Sequence, residues 1–272
     1  MLGKLIRYEF KNLNKWFFWM YPGVLGLALV LALIFPTSAD FYRNFSDSSS
    51  FGAFIGLIQL LVVPMVIITV TLFIATYVHI INRFRHGVFG REGYLTMTLP
   101  VKTEDIITSK LISGLIWIFL ALITFVLSIY LFVLIMVLKT SPQSAGYILP
   151  ELFKILGILL ASPTSWSWLV TNLLSTAASI LTIYLAIAIG NLFDGRRNLM
   201  AVVSWIGLVI VYGFLSSIIT MSSLSISSRT DIDNLASYTG PATYILWVFY
   251  ILLIVGQYVG IYKIVKERLN LV

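Results

Sequence analysis

Six long runs free of Asp, Glu, Lys and Arg dominate the chain: residues 16–35, 51–81, 111–138, 168–192, 199–221 and 242–262. A helix needs about 20 predominantly apolar residues to cross about 30 Å of hydrocarbon, and a backbone in lipid must satisfy its hydrogen bonds internally. The runs therefore predict an all-α integral membrane protein with six transmembrane helices, forming a single domain over residues 1–272. The second and third runs exceed one crossing without reaching two, so tilt, projection beyond the bilayer or a kink at Pro64 takes up the excess. A composition of 59% hydrophobic and 11% charged residues agrees, since a soluble domain carries roughly 25% charged residues. The first run is too long for the core of a cleaved signal peptide, and further spans follow it.

The net charge of +7 could point to nucleic acid, but its placement points to topology. One side of the predicted bilayer holds Lys4, Arg7, Lys11 and Lys15; Arg83, Arg85, Arg91, Lys102 and Lys110; Arg196 and Arg197; and Lys263, Lys266 and Arg268. The other holds only Arg43, Lys139, Lys154 and Arg229. Positive loops are retained in the cytoplasm, so both termini are expected inside a multi-pass plasma-membrane protein, with the bilayer as a partner and no nucleic acid. On the outer side, residues 150–161 read as a short interfacial helix followed by Trp166 and Trp168 at aromatic-belt depth.

Several chemistries lack their residues. The chain has no cysteine, which removes disulfides and thiolate sites. His79 and His86 have no partner at metal-ligand spacing, and neither H-E-x-x-H nor G-x-S-x-G occurs. No catalytic residue or metal site is expected, and the chain is read as a non-enzyme. The loop G-x-x-x-x-G-K-[ST] is also missing, so no cofactor is expected in this chain and any ATP hydrolysis belongs to another subunit. All eleven acidic residues fall outside the apolar runs, which argues against a carrier driven by intramembrane ionisable groups.

Residues 1–15 read as a cytoplasmic amphipathic helix on the inner leaflet. At about 100° per residue Lys4, Arg7, Lys11 and Lys15 share an arc of about 80°, opposite Leu2, Leu5, Ile6, Leu13 and Trp16. Anionic lipid would contribute about 1 kcal/mol per basic residue. Glu9 interrupts the apolar face, where a carboxylate against lipid is costly, so Glu9 is expected to face protein and to pair with a donor on a cytoplasmic partner. Between the second and third spans lies the longest cytoplasmic connection. Gly87, Gly90 and Gly93 permit tight turns there, Pro100 ends the segment 94–99, and Thr103, Glu104 and Asp105 suit a helix start.

The opening Met-Leu-Gly-Lys-Leu-Ile-Arg-Tyr-Glu-Phe-Lys, the stretch Arg-Glu-Gly-Tyr-Leu-Thr-Met-Thr-Leu-Pro at 91–100 and Ser109-Lys110-Leu111 resemble the permease subunits of type-two ATP-binding-cassette exporters of Gram-positive bacteria. The resemblance extends over the whole chain in span number and order. It implies a dimer of six-span halves, a second copy or a paralogue completing the pair. It also implies a separate ABC ATPase subunit that carries ATP and magnesium and docks on a coupling helix between spans two and three. Carried onto this sequence, the coupling residues are Arg91, Glu92, Gly93, Tyr94, Leu95, Thr98 and Leu99, with Glu9 in the helix beside them and Asp194 and Arg196 as a secondary contact.

An uncharged substrate path is expected from Gln59, Thr69, Thr76, Tyr130, Asn172, Tyr184 and Gln257, the same residues that could instead bond helix to helix. Without a buried charge in the spans, the expected cargo is hydrophobic or amphipathic, such as a membrane-active peptide. Gly52 with Gly56 and Gly256 with Gly260 allow close helix approach, within one chain or at a dimer seam. The alternative of another class is a non-transporting membrane sensor or immunity subunit.

Overall fold

The computed structural model describes residues 2–34, 50–90, 102–140, 162–193, 195–227 and 241–267, with isolated positions between 146 and 161. Six long helices follow in chain order: α1 Leu2–Ile34, α2 Ser50–Phe84, α3 Thr103–Thr140, α4 Pro163–Gly190, α5 Arg197–Ser227 and α6 Pro241–Glu267. A π-helical turn, Arg85–Phe89, closes α2. Each long helix contains a segment long and apolar enough to cross a membrane, and no strand occurs among the described residues. Apolar side chains point outward along them: Val202, Val203, Ile206, Ile210, Val211 and Phe214 of α5 are all exposed. Apolar exposure on this scale marks a contact surface for lipid or protein, and the architecture is that of a multi-pass membrane protein.

One expected boundary is absent. Instead of a separate helix ending at residue 15, α1 runs unbroken from Leu2 to Ile34, about 50 Å at 1.5 Å per residue. Between Gly3 and Pro22 the sequence contains no Gly or Pro, so no backbone feature turns the chain where the basic segment meets the apolar one. The second run is likewise helical through Pro64. At α3 the cap position falls one residue before Thr103, because the Lys102 carbonyl accepts from the amides of Asp105 (3.0 Å) and Ile106 (3.4 Å).

The helices divide into two compact units. One contains Met1–Glu9, His79–Leu115 and Leu159–Val272, the other Phe10–Val78 and Ile116–Ile158. In the first, α4 packs against α5 and α6, and its small residues Ala177, Ala178, Ala186 and Ala188 are buried. Small residues bring helix backbones close enough for van der Waals contact to hold them together. Trp247 of α6 donates to Thr171 Oγ1 of α4 at 2.8 Å, and the Gln257 amide donates to Thr182 Oγ1 at 2.7 Å. The start of α4 is set locally: Ser162 Oγ accepts from the Ser165 amide at 3.3 Å, and Pro163 takes the first helical position, where its missing N–H costs nothing.

The turn from α4 to α5 contains Gly195, at φ +90°, a backbone region that side chains disfavour. Gly190, just before it, lets α5 approach: a Cβ at 190 would stand 2.6 Å from the backbone nitrogen of Ala201. Gly190→Ala must therefore push the two helices apart. It is expected to destabilise the protein by about 1–3 kcal/mol, the usual range for overpacking, read as a lower unfolding temperature in detergent.

In the second unit, Phe17 of α1 stacks on Trp117 of α3 with centroids 4.2 Å apart, and the Tyr21 hydroxyl donates to the Trp117 carbonyl at 3.0 Å. Val24, Leu72 and Ala121 form a small core joining α1, α2 and α3. At the far end of α1, Lys139 Nζ donates to the Leu33 carbonyl at 2.7 Å, placing a cation where the helix dipole is negative.

Candidate functional site

The N-terminal turns of α1 present Lys4, Arg7 and Tyr8 outward and bury Glu9, as helical geometry requires of residues on opposite faces. Glu9 is 6% exposed. Its Oε2 accepts from Arg83 Nε, near the end of α2, at 2.6 Å. Its Oε1 accepts from Lys110 Nζ, on the second turn of α3, at 2.9 Å. Lys110 is itself 4% exposed, and its ammonium also reaches the Arg83 carbonyl at 3.4 Å. The Arg83 guanidinium lies 5.8 Å from the centre of the Tyr8 ring, within cation–π range. One carboxylate thus joins three helices.

Aromatic packing supports the cluster from α4. The ring of Tyr184, 1% exposed, stacks on Phe84 with centroids 3.8 Å apart and planes 7° apart. Its hydroxyl donates to the Lys110 carbonyl at 3.3 Å. On the same α3 segment, the Tyr258 hydroxyl of α6 lies 3.0 Å from Thr108 Oγ1 and donates to the Glu104 carbonyl at 3.2 Å. The base of α3 is therefore held by α1, α2, α4 and α6.

Burial pushes the Glu9 carboxyl toward protonation, but the Lys110 charge and the hydrogen bonds from Lys110 and Arg83 together outweigh it and hold its pKa below the ordinary value. Glu9 is a carboxylate at neutral pH. Such a group cannot act as a proton relay near pH 7; what the arrangement can do is fix three helix ends to one another.

Glu9 faces protein as its place on the apolar face implied, but its donors belong to the same chain rather than to a cytoplasmic partner. Arg83 and Lys110 lie 74 and 101 residues away, and in the sequence both read as topology-setting cations. Among the other expected coupling residues, Arg196 is exposed and its carbonyl accepts from the Met200 amide at the start of α5. Arg91, Glu92, Gly93, Tyr94, Leu95, Thr98, Leu99 and Asp194 lie outside the described residues.

The seven path candidates are divided between the two units. Asn172, Tyr184 and Gln257 fall in the first unit, and Gln59, Thr69, Thr76 and Tyr130 in the second. Tyr184 and Gln257 bond helix to helix as described above. Thr76 Oγ1 donates to its own helix at the Leu72 carbonyl, 2.8 Å away, and Asn172 likewise to the Trp168 carbonyl at 2.9 Å. Thr69 is half-buried, the Tyr130 hydroxyl is buried with no hydrogen-bond partner among the described residues, and the side chain of Gln59 lies outside the described residues.

No protein-family model, no curated protein and no solved structure matches the chain. What the geometry establishes is a six-helix architecture of membrane-protein type with a buried ion cluster at the N-terminal end of α1.

Proposed function

We propose that the chain is the permease subunit of an ATP-binding-cassette exporter, moving a hydrophobic or amphipathic cargo outward. A second copy or a related chain completes the permease, and a separate subunit hydrolyses ATP. The likeness of the N-terminal segment and the 91–100 stretch to such permeases suggests the reading, and the six apolar helices accord with it.

The observation that carries it is the position of Glu9. Residues 91–101 connect α2 to α3 in the sequence, and the carboxylate grips both of these helices, through Arg83 on one and Lys110 on the other. A force applied to that connection by an ATPase would meet helix ends that are already fastened to one another. It would move the joined ends of α1, α2 and α3 together, and alternating access requires such a body with two global positions. In this reading residues 91–99 receive the ATPase and the ion cluster transmits the displacement.

Affinity purification of the tagged chain from its own membranes, followed by reconstitution, tests the proposal. A near-stoichiometric partner with a nucleotide-binding loop, and ATP-dependent cargo movement by the pair, are expected. Absence of any nucleotide-binding partner after cross-linking would overturn it in favour of a sensor or immunity subunit.

A further inference from the structure

The π-helical turn Arg85–Phe89 follows α2 and is capped by Gly90. Such turns accommodate an extra residue by locally widening the helix, and they recur at functional positions. Here the widened turn meets a cation. A Cβ at Gly87 would stand 2.5 Å from Lys110 Nζ and 3.2 Å from Lys110 Cε, so any side chain at 87 makes the end of the flexible Lys110 side chain shift from its place. From that place it reaches Glu9 Oε1 and the Arg83 carbonyl. The turn has little room to withdraw: Gly87, Val88 and Phe89 are buried, and Phe89 packs edge-on against Phe84 at 6.1 Å, the ring that stacks on Tyr184.

We infer that Gly87, the π-helical turn and Lys110 form a latch that docks the N-terminal turns of α1 onto the base of α3. Lys110 is the positioning residue, and Gly87 is the notch that admits it. The conformation of the turn that precedes residues 91–101 then decides whether the ammonium can reach Glu9, and so whether residues 2–9 are fastened to α3 in addition to their attachment to α2 through Arg83. This deepens the permease reading by naming how a displaced loop would reach α1, while the docking itself requires no ATPase.

The absence of native cysteine allows a direct test by spin-label distance measurement on the full chain in detergent. Lys4→Cys on α1 and Lys102→Cys beside α3 are both at exposed positions. One narrow distance distribution is expected in the otherwise unchanged protein, and a broadened, longer one after Gly87→Ala or Lys110→Met. The two changes combined should broaden it no further, because a methyl at 87 acts by displacing the ammonium that Lys110→Met removes. Unfolding temperatures close the cycle: Gly87→Ala should cost about 5 °C when Lys110 is present and about 1 °C when it is Met. Unchanged distances in both variants, or the same cost with and without Lys110, would overturn the latch. Partner capture reads the permease proposal separately, so a latch effect without any captured ATPase would sink that proposal and leave the latch standing.

Discussion

Glu9→Gln is expected to destabilise the purified protein by about 3–5 kcal/mol, the range for removing one partner of a buried ion pair. The substitution keeps the size and one acceptor of the side chain but withdraws the charge that faces Lys110 at 2.9 Å and Arg83 at 2.6 Å. Both cations stay where they are, largely shielded from water, and their desolvation is no longer offset by the carboxylate. A solvated glutamate on an exposed helix face would behave otherwise, because surface pairs contribute about 0–1 kcal/mol. Thermal unfolding of wild type and variant in the same detergent separates the two cases, and a difference under about 1 kcal/mol would remove Glu9 from its central place.

The same comparison across pH has a definite sign. Because the folded-state pKa of Glu9 is lowered from 4.5, the unfolded state takes up its proton first as pH falls. The stabilisation is complete above the unfolded value and is lost as pH drops through the folded one. The lead of wild type over Glu9→Gln should therefore be constant at neutral pH and shrink below pH 4.5. A lead that grew on acidification would contradict the assignment.

Tyr184→Ala is expected to cost about 3–5 kcal/mol, as for truncation of a fully buried aromatic side chain. The ring supports the cluster from behind: it stacks on Phe84, one residue after Arg83, and its loss leaves a cavity under the ends of α2 and α3. Tyr184→Phe retains the ring and forfeits only the hydrogen bond to the Lys110 carbonyl, so about 1 kcal/mol is expected. Measuring both tells packing from hydrogen bonding. Equal losses would mean that the hydroxyl, rather than the stack, holds Lys110 in place.

If the permease proposal holds, these variants should also uncouple. A permease whose loop stems are no longer fastened would still bind its ATPase through residues 91–99 while moving less cargo per ATP hydrolysed. Glu9→Gln combined with intact partner capture is the informative case, since lost capture would instead place Glu9 at the partner surface.

The number and order of the helices could be read from the sequence because a bilayer imposes a length on any segment that crosses it, and an uncharged run such as 199–221 has few other ways to be stable. Glu9 could be recognised as facing protein for a related reason, being one acid among Leu5, Ile6 and Leu13 on a helical face. Its partners could not. Arg83 and Lys110 counted as inside positive charge, and the rule that uses them depends only on sign and side of the membrane. The same limit applies to Gly87, which permits a turn in any sequence but becomes a notch only where Lys110 is brought against it. Tyr184 and Gln257 likewise carry the same polar groups whether they line a path or bond two helices. Periodicity and hydropathy are local properties, and they determined the spans and the oddity of Glu9. Which residue meets which across 74 or 101 positions follows from how the helices pack, and only the tertiary structure decided it.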